Sequence, residues 1–163
     1  MTLEIEKLTD ARIMREACAV TMGKDNSTVS LSDMYNCEHS PIRTQLFWVK
    51  LYDIPAFVST HLVRHKVGVE HFVKSLRDDR CGEGNETRNS PVNHFMLINA
   101  QALINMARKR LCFKAHSETG KVMCAIRSHI HKYVDATLAA YLVPECKYRN
   151  GCHELKTCGF YDR

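Results

Sequence analysis

Residues 44–77 read TQLFWVKLYDIPAFVSTHLVRHKVGVEHFVKSLR. The hydrophobic period changes twice within this stretch. Residues 44–52 are rich in aromatic and branched side chains and predict a strand. Asp53-Ile54-Pro55 predicts the start of a helix, with proline in the first turn where its missing N–H costs nothing. The helix continues through AFVSTHLVRH. Residues 67–76 then return to alternation, with Val67, Val69, His71 and Val73 on one face of a second strand. This pattern argues for an α+β fold in which a β-sheet packs with long helices.

The flanking segments extend it. Asp10 can cap a first helix that carries Ile13, Met14, Ala17, Cys18 and Thr21 on one stripe and stops at Gly23. Residues 24–27 read as a turn, and residues 37–43, CEHSPIR, as an irregular connection fixed by Pro41. Residues 78–90, DDRCGEGNETRNS, form a polar loop. Residues 92–111 predict a long helix, because Leu97, Ala100, Ile104, Ala107 and Leu111 recur at helical spacing. A second helix over 117–134 turns Val122, Met123, Ile126 and Ile130 inward, and a third over 135–142 is stopped by Pro144. Residues 145–163 have no periodicity. The expected organisation is one domain over 1–144 followed by a Cys-rich tail.

The 163 residues are 45% hydrophobic and 25% charged, which suits a folded domain rather than a disordered chain. No apolar run is long enough to span a bilayer, and MTLEIEKLTDAR lacks the apolar core of a secretory signal. A cytoplasmic location without membrane association is the expectation. The formal charge of +5 is compatible with anionic partners and selects none of them. Of the 8 cysteines, Cys146, Cys152 and Cys158 crowd into the tail beside His153. Zinc would suit these four side chains, but the spacing lacks a CxxC knuckle, so no metal is expected and free thiols are the reading preferred.

Three basic groups stand out. Arg64-His65-Lys66 fans around a helix end, which suits either a diphosphate or a solvated terminus stabilised by the helix dipole. Ser75 and Arg77 share a strand face as either a phosphate grip or an exposed strand end. Arg108-Lys109-Arg110 closes a helix on which Asn105, four residues after Gln101, is either a polar contact or surface. His39, ahead of Ser40-Pro41, is either a proton shuttle or a surface group. No GxGxxG, Walker loop or HExxH helix is present.

In their order along the chain these segments resemble the flavin-dependent thymidylate synthases. CEHSPIR is similar to that family's HxSPF connection, Arg64-His65-Lys66 to its RHR signature, and REACAVTMG to its AARVSYG segment. INAQALINMARKRL resembles the family helix that carries an Asn and ends in a nucleotide-binding Arg. The resemblance runs from about residue 11 to 126. It implies reductive methylation of dUMP to dTMP, with FAD as cofactor and NADPH and methylenetetrahydrofolate as co-substrates. It implies that Arg64, His65, Lys66, Asn99 and Asn105 hold the flavin. Ser75, Arg77 and Arg110 would hold dUMP, with Arg88 a further candidate. Ser75, Arg110 and His39 would serve the chemistry. It also implies a homotetramer with shared active sites. Nucleic-acid binding through the Arg64 and Arg108-Lys109-Arg110 clusters is the least favoured role, because the charge is mixed and few aromatics look exposed. The sequence departs from the family at Lys66, at Asp78 where a Tyr is usual, and at Phe72-Val73, where an Asn-Glu pair is missing. These departures favour, as the alternative, a nucleotide-binding or regulatory homologue without flavin catalysis.

Overall fold

The computed structural model describes residues 1–81 and 85–161. Four antiparallel strands form one sheet: β1 (Thr2–Lys7), β2 (Leu46–Pro55), β3 (Val69–Val73) and β4 (Pro91–Asn99), in the order β1-β2-β4-β3. Period-2 alternation decides which face is covered. Phe47, Val49, Leu51 and Ile54 of β2 turn inward beside Val92, His94, Met96 and Ile98 of β4. Trp48, Tyr52, Phe72 and Phe95 stand on the opposite face in edge-to-face contact, with Phe72 half exposed.

Helices cover the inward face. They are α1 (Ala11–Thr21), α2 (Leu31–Cys37), α3 (Ala56–Val63), α5 (Ala100–Arg110), α6 (Ser117–His129) and α7 (Ala136–Tyr141), with short turns α4 (Asp78–Cys81) and α8 (Glu145–Tyr148). Asp10 caps α1 through Arg12 N, and Gly23 follows it at φ 62°, as the sequence suggests. A π-helical turn, Ile130–Val134, completes α6. Asp135 then caps α7 while also accepting from Lys7 Nζ at 2.6 Å and Tyr35 Oη at 2.8 Å, which joins α2, α7 and the edge of the sheet. None of the helices is long and apolar enough to cross a membrane among the described residues.

Several expectations are corrected. The long helix over 92–111 is two elements: Pro91–Asn99 is the inner strand β4, and only Ala100–Arg110 is helical. His94 is fully buried at an inward position, so its polarity breaks the alternation that Val92, Met96 and Ile98 otherwise show. Asn99 marks the true boundary by capping α5 through Ala102 N at 2.9 Å. Pro55 ends β2 rather than lying inside a helix. Asp53 adopts φ 53° at a bulge, which resets the inward alternation from Leu51 to Ile54. Residues 37–43 are more ordered than expected: Cys37 ends α2, and Ser40–Thr44 is a 3-10 helix. The second strand is shorter, and Val67 is exposed. The loop over 78–90 begins with α4, and its residues 82–84 lie outside the described residues, as do 162 and 163 of the tail.

Candidate functional site

α3 ends at Val63, and Arg64 caps it in helical geometry. The chain must then reverse into β3 within a few residues. Gly68 permits this at φ 76°, a conformation that disfavours side chains. A Cβ there would also lie 2.4 Å from Asn99 Nδ2. Asn99 N donates to the Gly68 carbonyl at 3.0 Å while the Asn99 side chain caps α5. One buried residue therefore fixes both the cationic loop and the start of the helix that ends in Arg110.

That helix returns to the same loop. Arg110 Nε donates to His65 Nε2 at 3.0 Å, and Nη2 donates to the His61 carbonyl at 2.7 Å. A guanidinium only donates, so His65 Nε2 must be bare and its proton must sit on Nδ1. Burial, then Arg110 and His71, push the His65 imidazole down to about 4, which keeps it neutral. Burial and Arg64 also lower the Arg110 guanidinium from its usual value. Arg110 thus joins the loop of His65, 45 residues away in sequence, in one cationic surface.

His61 on α3, four residues before His65, extends it. Its Nδ1 lies 2.8 Å from Thr119 Oγ1, and its ring contacts Phe57 and His116. Burial lowers its pKa first, followed by the charges of Arg110, Arg64, His116 and Arg88. This marks a focus of positive potential. The Arg88 guanidinium stacks over Phe57 at 5.1 Å from the ring centroid. His61 and Arg88 border a groove of about 350 Å³ with Phe57, Thr60 and Asp78. Arg64 and Lys66, both exposed, border a second shallow groove of about 430 Å³ with Ser59, Thr60 and Val73. Sequence reasoning missed His61. Its spacing of four from His65 on a helix was the available signal.

Other candidates stand apart from this centre. Arg77 is exposed and paired in bidentate fashion with Asp79 at 2.8 and 2.9 Å, and its N–H reaches Ser75 Oγ at 3.3 Å. His39 is exposed beside a 660 Å³ pocket between α1 and α2, with Cys18, Met22 and Met34. Asn105 is exposed and accepts from Arg108 Nη1 at 3.2 Å. Arg108 itself is nearly buried, paired with Glu38 and stacked on Tyr148, so it secures the connection before His39 rather than facing the Arg110 surface. Cys146, Cys152, His153 and Cys158 border a small cavity of about 120 Å³ with Cys112. Among the described residues no three His, Cys, Asp or Glu side chains are grouped to hold a metal ion.

No protein-family model matches the chain, and no curated protein matches it in sequence. Solved structures do match. The chain is similar to thymidylate synthase X from Helicobacter pylori with FAD and dUMP, at 14% identity and TM-score 0.64, over 85% of this chain and 99% of that one. A second structure of that enzyme complexed with FAD and dUMP gives 13%, TM-score 0.63, and 82% and 97% coverage. A UMP/dUMP methylase, PolB, from Streptomyces cacaoi bound with 5-Br dUMP gives 12%, TM-score 0.64, and 86% and 94% coverage. The chain therefore has the flavin-dependent thymidylate synthase fold across most of its length.

Proposed function

We propose that this chain binds dUMP, or a close pyrimidine nucleotide, together with FAD, and methylates the pyrimidine reductively. The observation that carries this reading is the Arg110–His65 hydrogen bond, which joins Arg110, the last residue of α5, to the Arg64-His65-Lys66 loop. The donor set fits two phosphorylated ligands. Arg64 and Lys66 are exposed cations suited to a diphosphate. Arg110 is half-buried and held in place from two sides, which suits one defined phosphate or carbonyl oxygen. His65 offers only an Nδ1–H donor, without adding charge.

FAD, when bound, supplies the hydride chemistry, and the chain's residues bind, orient and exclude water. Methylenetetrahydrofolate would supply the carbon and NADPH the reducing equivalents. Ser75 and Arg77 would reach the nucleotide once Arg77 leaves Asp79, and Asn105 and His39, apart from Arg110 within one chain, would line the approach from a neighbouring chain. The grooves beside Arg64 and Arg88 are open on one side. Ligand sites bury most of their occupant. A homotetramer that closes each groove with a neighbouring chain would meet that need.

Purified protein is expected to take up FAD with a yellow absorption band and to release tritium from C5-labelled dUMP when given methylenetetrahydrofolate and NADPH. A colourless protein that neither takes up FAD nor releases tritium would refute the reading. A second reading, nucleotide binding without flavin catalysis, is supported by the missing Asn-Glu pair: Phe72, at its place, is half exposed and packs on Trp48. That version gives dUMP binding with no tritium release.

A further inference from the structure

Behind the cationic loop lies a pair of imidazoles that the proposed reaction does not use. His71 Nε2 is 2.7 Å from the His65 carbonyl, and His71 Nδ1 is 2.9 Å from His94 Nε2. A carbonyl only accepts, so His71 Nε2 carries a proton. With one proton on each ring, His94 Nε2–H donates to His71 Nδ1, and a relay runs from His94 through His71 to the backbone of His65. A second proton on His71 would turn His94 Nδ1 into a buried donor.

His94 is fully buried on the inward face of β4, opposite Leu51 and Val73 in register, and its Nδ1 has no partner. Burial, then His71, hold this imidazole down to about 4, which excludes a charge in the core at neutral pH. An unmet buried lone pair is a standing cost. Leucine or methionine at this position would remove it and still pack against Leu51 and Val73. The imidazole is therefore poorly explained by stability. What it does is satisfy and orient His71, which in turn grips the carbonyl in the middle of Arg64-His65-Lys66.

We propose that His71 and His94 are positioning residues for phosphorylated ligands, fixing the peptide at His65 so that its ring meets Arg110 before any ligand arrives. Three anchors then define His65: His71 on its carbonyl, the Leu62 carbonyl accepting from its N–H, and Arg110 on its ring. Preorganisation of this kind raises affinity by removing ordering costs from the binding step. The ligand part of the inference rests on the proposed function; the hydrogen-bond relay does not.

The test compares His94→Leu, which removes the donor, with His94→Gln, whose side-chain N–H can replace it. FAD and dUMP are expected to bind His94→Leu weaker by about tenfold or more. His94→Gln is expected to recover most of that loss. Nitrogen-15 spectra without ligand are expected to show altered Arg110 Nε–H and His65 ring signals in His94→Leu and near-native signals in His94→Gln. If the wild-type chain binds neither FAD nor dUMP but these spectra change, the proposed function fails and the relay stands. Unchanged Arg110 and His65 signals in His94→Leu would overturn the relay. Equal losses of affinity in both variants would overturn it too, because general packing damage would explain them. Should His94→Leu fail to fold, His71→Leu and His71→Gln carry the same comparison, since glutamine can still donate to the His65 carbonyl.

Discussion

The two stretches that would grip a nucleotide are built in opposite ways. Around Arg110 the side chains are braced: the guanidinium donates to His65 and to the His61 carbonyl, Asn99 holds the Gly68 carbonyl, and His71 holds the His65 carbonyl. Around Arg77 the hydrogen bonds seen are local, to Ser75 and Asp79. Its guanidinium lies exposed against Asp79, two residues away in sequence. Such a pair contributes little to stability and can be exchanged for a ligand at small cost. On the proposed function, the contrast would give the site one rigid half, assembled by the fold, and one adaptable half for ligand or a second chain to complete.

The largest effect is expected from the rigid half. Arg110→Ala removes a charged donor and leaves the His61 carbonyl without it, so FAD or dUMP affinity should fall about a hundredfold, near 2.7 kcal/mol. Titration calorimetry reads this directly, and a change below threefold would mean the braced arginine is structural. Gly68→Ala comes next. The positive φ and the approach to Asn99 Nδ2 should cost about 2–3 kcal/mol of stability, seen as a lower urea midpoint.

Acid should act on the same half. His65 and His94 are held at about 4 in the folded chain, below the unfolded value of about 6.5. Their contribution is fully present above the unfolded pKa and is lost as pH falls toward the folded one. The urea midpoint is expected to drop between about pH 6.5 and pH 4.5, and less steeply in His94→Gln. A midpoint that rose on acidification would contradict the buried, neutral imidazoles. The smallest effect belongs to the adaptable half. Arg77→Ala should change stability by less than about 0.5 kcal/mol, with a loss of dUMP affinity well below that of Arg110→Ala.

Much of this contrast was legible in the sequence, though unevenly. The strand and helix of residues 44–63 were visible because aromatic and branched residues sit where the core needs them. β4 was not, since a histidine occupies one of its inward positions and Ala100, Ile104 and Ala107 extend a helical rhythm backward to Leu97. α2 passed unread although Ser30 and Asp33 form its cap. Arg64-His65-Lys66 and Arg110 announced themselves by charge. The pieces that hold them did not: His61 shows only its spacing from His65, and His71 and Gly68 acquire meaning only when β3, β4 and the end of α5 converge.

Bromine anomalous diffraction from crystals of this protein soaked with 5-bromo-dUMP tests the shared surface most directly. A peak beside the joined Arg110–His65 surface, with the phosphate drawn toward Ser75 or Arg77, is the expected result. A nucleotide seated elsewhere with those side chains untouched would contradict a pocket formed by Arg110 and the Arg64-His65-Lys66 loop.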